Sequence, residues 1–197
     1  MDPVSRAASE IEGASSVLIL RPQSAAGADT EWKRALVDDP ESVELLGVSL
    51  SARPGDWYEG WCEVLGTEPT AAVITTPELA GDDDPEGVEV KTVATPSNLT
   101  GIGVKTTPYL TRWDDAVAVV EPLTVLFQYA DTREVYQFLH VLLARIRSNS
   151  GGVQVYVDPM VEDEQTIELL KSLFDAVVEY DPNGEGDGDW TARLRRS

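Results

Sequence analysis

Three charged side chains stand where a parallel sheet could do phosphate chemistry. Arg21 directly follows the apolar segment Ser16–Leu20, and Glu121 directly follows the apolar segment Ala116–Val120. Lys33 lies in the short segment after Arg21 that we expect to be helical. Ligands of open parallel sheets bind at the carboxyl ends of the strands, so these are weak candidates for contacting a nucleotide.

The segment after the first predicted strand lacks the residues of a phosphate-binding loop. Such a loop reads G-x-x-x-x-G-K-[ST], because its glycines let backbone N–H groups surround the phosphates and its lysine reaches the terminal one. Residues 21–30 read RPQSAAGADT, with one glycine and with Asp29 adding negative charge. Lys33 could reach back to a phosphate, but an exposed helix lysine is the simpler interpretation. We therefore expect no nucleoside triphosphate in the usual geometry and no cofactor.

Glu121 has two possible roles. An acidic residue after a buried strand is where nucleotide hydrolases hold Mg²⁺. Alternatively, it is a strand-end carboxylate that stays in water or pairs with an arginine. Without a phosphate loop, the second role is favoured.

No other group of residues forms a catalytic pattern. We expect His140 to flank the apolar stripe of a helix and Cys62 to be a small buried hydrophobic residue. Asp158 precedes a proline and is typical of a turn, and the acidic residues 162–164 suit the start of a helix. We predict no nucleophile–base pair, no catalytic residue and no metal site, and therefore no enzyme.

An aromatic cluster at helical spacing is the best candidate for a protein-binding surface. Trp57, Tyr58 and Trp61 fall within one predicted helix. They either form a surface for a partner or pack that helix on the sheet, and packing is the favoured interpretation.

The elements that would position these residues alternate between strand and helix. The predicted strands are 16–20, 44–51, 71–76, 88–94, 116–120, 152–157, 176–180 and 190–194. The predicted helices are 30–37, 54–65, 98–113 with a kink or break near Pro108, 132–148 and 163–173. Residues 1–15 are expected to be a flexible leader before a single domain over 16–197. The pattern predicts an α/β fold, a mostly parallel sheet between helices, with a C-terminal antiparallel hairpin.

Composition excludes several classes of protein. The 197 residues include 42% hydrophobic residues, enough for one domain with a core. A net charge of −20, from 15 basic and 35 acidic residues, makes nucleic acid and membrane surfaces poor partners. No apolar run approaches the roughly 18 residues of a membrane helix, so a cytoplasmic protein is expected. Only four basic residues are lysines, which suits a cytoplasm filled with salt, since molar salt screens self-repulsion.

The order of segments resembles the RecA superfamily, and within it the KaiC-like archaeal ATPases. The segments that carry the resemblance are Ser16–Pro22, Leu46–Trp61, Val117–Thr124 and Gly152–Tyr180. The chain is still more similar to an uncharacterised haloarchaeal family of degenerate KaiC-like domains. The signatures of that family here are 99–103 (LTGIG), 110–114 (LTRWD), 123–129, 138–140 (FLH), 158–159 and 163–166.

The departures from the RecA pattern concern the activity. The lysine and the hydroxyl of the phosphate loop have no counterpart, and Glu121 and Pro122 stand where the metal-binding motif has aspartate and serine. The resemblance therefore implies a RecA-like fold and a non-catalytic domain. Such a domain would act by binding a protein or a second copy of itself, in signalling or regulation in a halophilic archaeon. The alternative is an ATP-binding or ATP-hydrolysing protein that uses Arg21, Lys33 and Glu121 in a non-standard site.

Overall fold

A computed structural model describes residues 3–149, 151–183 and 189–195 of the chain. Its strands are β1 Ser16–Leu20, β2 Glu44–Ser49, β3 Thr70–Thr75, β4 Glu89–Thr92, β5 Ala116–Glu121, β6 Gly152–Val157, β7 Ala176–Asp181 and β8 Asp189–Leu194. Its α-helices are α1 Pro3–Glu10, α2 Thr30–Ala35, α3 Pro54–Leu65, α4 Leu99–Arg112, α5 Thr124–Phe127, α6 Thr132–Ser148 and α7 Glu164–Lys171. A short 3-10 helix, Gln23–Ala25, lies between β1 and α2.

The strands of the described residues form one eight-stranded sheet in the order β4-β3-β2-β5-β6-β1-β7-β8. Every neighbouring pair is parallel except β7 and β8, which are antiparallel. The predicted α/β fold with a mostly parallel sheet and a C-terminal antiparallel hairpin is therefore confirmed. The turn expected between the last two strands falls partly on residues 184–188, outside the described residues.

Two hydrophobic clusters lie on opposite faces of the sheet. One collects buried side chains from α4, α5, α6 and α7, and the other collects them from α1, α2 and α3. Central strands such as β1 and β3 are buried over nearly their whole length, because both of their faces are covered. None of the described helices is long and apolar enough to cross a bilayer.

The N-terminal residues differ from the expected flexible leader. Residues 3–10 form α1, in which Val4 and Ala7 are buried, and Ile11 just after it is buried as well. These three residues repeat at spacings of three and four, so they share one helix face. That face packs beside β8. The sequence-based interpretation overlooked this spacing because small and polar residues surround it.

The helix α4 starts as predicted but differs from the prediction at Pro108. Asn98 caps α4, and its side-chain oxygen accepts a hydrogen bond of 2.8 Å from the Gly101 N–H. The helix then continues through Pro108 to Arg112, so it is not broken there. Proline removes only one backbone donor, and packing of Ile102, Tyr109 and Leu110 on the sheet holds both halves in place.

Candidate functional site

The three candidate residues meet at the carboxyl edge of the sheet. Glu121 ends β5, next to Ser49 at the end of β2, with which it is in register. Arg21 follows β1, and Lys33 lies on α2. Because β6 lies between β5 and β1, the side chains of Arg21 and Glu121 meet above Tyr156 of β6. The sheet topology thus brings together residues that are 100 positions apart in the chain.

An ion cluster of Arg21, Asp29, Lys33 and Glu121 occupies this position. Arg21 donates through Nη2 to Glu121 Oε1 at 2.6 Å and through Nε to Asp29 Oδ2. Lys33 Nζ lies 3.1 Å from each oxygen of Glu121 and 3.9 Å from Asp29 Oδ2. Two cations face two carboxylates, so the cluster is neutral. This pairing is the second role that the sequence left open for Glu121.

Burial makes the balance of charge in the ion cluster important. The side chains of Arg21 and Asp29 are 6% and 2% exposed, and those of Lys33 and Glu121 are 16% and 17% exposed. A charge removed from water so far is tolerated only with a partner. Each cation therefore needs its carboxylates, and a phosphate that contacted Arg21 would add negative charge to a cluster whose cations are already balanced.

Aromatic rings surround the cations of the ion cluster. Arg21 Cζ lies 5.4 Å and Lys33 Nζ lies 5.2 Å from the centre of the Tyr156 ring, and Lys33 Nζ lies 5.6 Å from that of Trp61. Burial raises the pKa of Tyr156 well above its ordinary value, and the charges of Glu121 and Asp29 raise it further. The charge of Arg21 lowers this pKa but does not outweigh the other effects. The Tyr156 hydroxyl stays protonated and donates to Gln154 Oε1 at 2.8 Å, so it serves as a structural donor.

The loop between β1 and α2 bonds its own backbone N–H groups. Those of Ala25, Ala26 and Ala28 each donate to a carbonyl three residues earlier, at 3.0–3.1 Å. The N–H of Arg21 donates to Val157 O, and that of Gln23 donates to Asp158 Oδ2 at 2.8 Å. A phosphate cradle needs several free N–H groups pointing at one centre. Here these five N–H groups are already hydrogen-bonded within the protein.

A cleft of about 370 Å³ lies beside the ion cluster. Its lining includes Arg21, Lys33 and Glu121, the serines Ser49 and Ser51 at or just after the end of β2, and residues of α3. Its charged lining comprises the cations Arg21 and Lys33 and the carboxylates Asp29, Asp56, Glu63 and Glu121. Four carboxylates against two cations repel a triphosphate. The cleft is therefore open, and its charged lining is negative overall.

The predicted aromatic cluster of α3 packs on the sheet and does not form a protein-binding surface. Trp57 and Trp61 are 6% and 2% exposed, and their rings contact each other at 6.2 Å. The Tyr58 hydroxyl donates to Pro69 O at 3.1 Å. The favoured interpretation, packing on the sheet, is confirmed, so this cluster is not an exposed docking surface.

The other single candidates have structural surroundings. His140 is exposed on α6 and stacks on Tyr136 with ring centres 6.5 Å apart. Cys62 is half-buried, less than expected, because α3 turns it away from the two tryptophans. Burial raises the pKa of its thiol above the ordinary value, although the hydrogen bond with Tyr58 opposes this rise. The thiol is therefore protonated and a poor nucleophile at neutral pH.

The acidic residues after β6 cap local structure. Asp158 accepts the Met160 N–H at 2.8 Å in a turn, and Asp163 caps α7 by accepting the Thr166 N–H at 2.9 Å. Among the described residues, no group of histidine, cysteine and carboxylate side chains could hold a metal ion.

Sequence reasoning proposed Arg21, Lys33 and Glu121 but missed two members of the site. Asp29 had a signal, since it stands four residues before Lys33 and would share its helix face. No spacing in the sequence pointed to Tyr156, because an aromatic residue inside an apolar strand is typical of the hydrophobic core.

Together, the fold and the site define an α/β protein with a neutral ion cluster at the carboxyl edge of a mostly parallel sheet. The chain belongs to a family of unknown function (DUF7504), whose family model matches residues 14–180. None of the curated proteins compared with the chain matches it.

Two solved structures from Pyrococcus horikoshii share the fold. The uncharacterized protein PH0321, crystallised in complex with an unknown peptide, superposes with a TM-score of 0.57 at 11% identity, over 93% of this chain and 84% of that one. The protein PH0250 superposes with a TM-score of 0.55 at 11% identity, over 85% and 81% of the two chains. At this identity the likeness concerns the fold alone. These names do not connect the chain to KaiC-like or haloarchaeal proteins, and that resemblance remains a prediction.

Proposed function

We propose that this protein is a non-catalytic, RecA/KaiC-like domain that acts by binding another protein, in signalling or regulation in a halophilic archaeon. The observation that carries the non-catalytic part is the neutral ion cluster of Arg21, Asp29, Lys33 and Glu121. It occupies the place where the RecA resemblance would put the phosphates and the metal.

The chemistry of the ion cluster argues against turnover. A phosphoryl-transfer site needs unpaired positive charge and a carboxylate free to hold Mg²⁺. Here both oxygens of Glu121 are within 3.1 Å of Lys33 Nζ, and one of them also accepts from Arg21. Freeing Glu121 for a metal would leave two largely buried cations with a single carboxylate, Asp29, between them, which is costly.

Binding of a protein is supported by what the fold retains. Both faces of the sheet keep complete hydrophobic clusters although the phosphate loop is absent. A protein of similar fold, PH0321, was crystallised with an unknown peptide, so this architecture is compatible with a peptide partner. We therefore infer a scaffold whose function lies in its surface.

Isothermal titration with ATP and Mg²⁺ tests the proposal. The wild-type protein, at both ~0.1 M and ~1 M KCl to vary screening, is expected to give no binding heat. A matched titration of Glu121→Gln shows whether ATP binds once Arg21 and Lys33 have lost the charge of Glu121. Saturable binding by the wild type in the micromolar range would overturn the proposal.

The second candidate function is a nucleotide hydrolase with a non-standard site. It is favoured by one observation, that Arg21, Lys33 and Glu121 line a single cleft. It predicts phosphate release from ATP that disappears in Glu121→Gln. A wild-type protein without turnover excludes this candidate.

A further inference from the structure

The sheet has an unpaired edge at β4. No further strand of the described residues lies beyond it. The Val93 N–H donates to Thr75 O at 2.8 Å, so the backbone groups of Val93 face β3. Backbone groups alternate sides along an extended chain, so those of Val90 and Thr92 face away from the sheet. Such an edge can pair with another extended chain.

A groove runs between this edge and α4. Its volume is about 570 Å³, and its lining is mostly apolar. Val104, 65% exposed, Pro108 and the ring of Tyr109 provide the apolar part. Val104 is a large hydrophobic side chain left in water beside this open edge of the sheet. An apolar side chain of a bound segment would cover it.

The groove is positively charged on a strongly acidic protein. Its lining carries the cations Lys91, Lys105 and Arg112 but only one carboxylate, Glu89. Glu89 is shared, since it accepts from the Tyr109 hydroxyl at 2.8 Å and lies 3.8 Å from Lys91 and 3.9 Å from Arg112. Lys105 forms no ion pair within the described part of the chain. Against a net charge of −20, the groove therefore offers a local positive surface.

We propose that the groove between β4 and α4 binds an extended acidic segment of a partner protein, which adds to the sheet as a strand beside β4. This inference rests on the proposed protein-binding function and names its site. Backbone groups of Val90 and Thr92 pair with the segment. Side chains on its inner face alternate between carboxylates, which meet Lys91, Lys105 and Arg112, and an apolar residue, which covers Val104.

A second copy of the chain fits this edge less well than an acidic segment. Pairing two β4 edges would place two positive grooves side by side, and like charges across an interface are unfavourable. An acidic segment instead neutralises the groove and gains the free backbone groups. The charge of the groove therefore selects the partner, and the edge supplies sequence-independent binding.

The test uses two fluorescein-labelled peptides whose binding is followed by fluorescence anisotropy at low salt. One has the repeat Glu-Ser-Val-Ser, so that glutamate and valine alternate along one face of the extended chain. In the other, lysine replaces glutamate. We expect saturable binding of the glutamate peptide only. Lys105→Glu should weaken it about tenfold. Arg34→Glu, an equal charge reversal on α2 at the opposite face, should leave the affinity unchanged.

A backbone variant tests the strand pairing separately from charge. Thr92→Pro removes an N–H that faces away from the sheet, and an edge strand tolerates proline at such a position. The variant should therefore unfold cooperatively on heating but should no longer bind the glutamate peptide. If this variant does not fold, the wild-type amide resonances of Val90 and Thr92 provide the same test. They should shift when the glutamate peptide is added.

Several results would overturn this inference. They are equal binding of both peptides, unchanged affinity in Lys105→Glu, or a dimer in sedimentation that buries the β4 edge. Amide shifts confined to another surface would also overturn the groove as the site, while leaving the proposed protein-binding function standing. The proposed function itself fails on a different readout, the binding of ATP and Mg²⁺.

Discussion

At the scale of single residues, the ion cluster behaves as one unit. Arg21 holds Asp29 and Glu121 together, and Lys33 completes the neutral set. Removing one carboxylate leaves a buried cation with too few partners, and this costs more than losing the contact itself. The account therefore predicts a large effect from a small change at Asp29.

Replacing Asp29 by asparagine should destabilise the protein by about 3 kcal/mol, since the side chain is buried against Arg21. The free energy of unfolding in urea measures the effect. Asp38→Asn, at an exposed position nearby, is the matched control and should change it by less than about 0.5 kcal/mol. Equal effects of the two variants would contradict a structural role for the ion cluster.

A second carboxylate, Asp175, joins β1 to β7 and α6. It accepts hydrogen bonds from Ser15 Oγ at 2.9 Å, from Ser16 N at 3.0 Å and from Ser16 Oγ at 2.8 Å, and it pairs with Arg147 at 3.0 Å. Burial would raise the pKa of Asp175, but the hydrogen bonds from the serines and the charge of Arg147 outweigh it, so the pKa is lowered.

This lowered pKa sets the direction of a pH effect. The stabilisation by Asp175 is present above the unfolded pKa of about 3.9 and is lost as the pH falls through the lower folded value. Asp175→Asn should therefore be less stable by about 1 kcal/mol at pH 7, and the gap should close in acid. Asp114→Asn, at an exposed position, should show no such gap. Urea unfolding at several pH values measures both, and a gap unchanged at low pH would refute the assignment.

At the scale of elements, α3 packs on β2 through a close approach. A Cβ built at Gly47 would lie 2.6 Å from Trp57 Cζ2, whereas one at Gly60 of α3 would meet nothing within 4 Å. The Trp57 ring therefore lies directly on the backbone of β2. This contact fixes one wall of the cleft.

Gly47→Ala should accordingly destabilise the protein by about 1–3 kcal/mol, because the ring and the strand must separate. Gly60→Ala is the opposite control and should stabilise it by about 0.4–1 kcal/mol, because alanine restricts the unfolded chain and favours helix. Thermal unfolding compares the two. A Gly47→Ala protein as stable as the wild type would show that α3 shifts freely on the sheet.

The sequence predicted most of these elements for identifiable reasons. Apolar runs such as Ser16–Leu20 identify strands buried on both faces, and the spacing from Val135 to Ile146 identifies α6. It did not predict α1, whose buried face among the described side chains comprises Val4 and Ala7, with Ile11 just after the helix. A helix with so few apolar residues depends on the strand it packs against, and that strand comes from the other end of the chain.

The sequence predicted only part of the candidate site. Arg21, Lys33 and Glu121 could be proposed because they follow strands, whose ends converge in a parallel sheet. Their mutual pairing could not be established from spacing, since it depends on the order of β5, β6 and β1 in the sheet and on Tyr156 lying beneath both cations. The charge of the β4–α4 groove was equally hidden, because it combines Lys91 with Lys105 and Arg112 from a different element.

At the scale of the whole molecule, the net charge of −20 dominates. Stability should rise with KCl, because the screening length falls from about 10 Å at 0.1 M to about 3 Å at 1 M and self-repulsion weakens. Urea midpoints at several KCl concentrations measure this effect, with equal osmolality of sucrose as the uncharged control. A midpoint independent of KCl would show that self-repulsion does not limit the fold.

The central claim is that the carboxyl edge of the sheet holds its own charges instead of a nucleotide. A crystal structure determined after soaking with ATP and Mg²⁺ tests it most directly. The account predicts that Arg21 still contacts Asp29 and Glu121 and that no nucleotide density lies beside Gln23 and Gly27. Phosphate density there, with Arg21 or Lys33 turned towards it, would contradict the account.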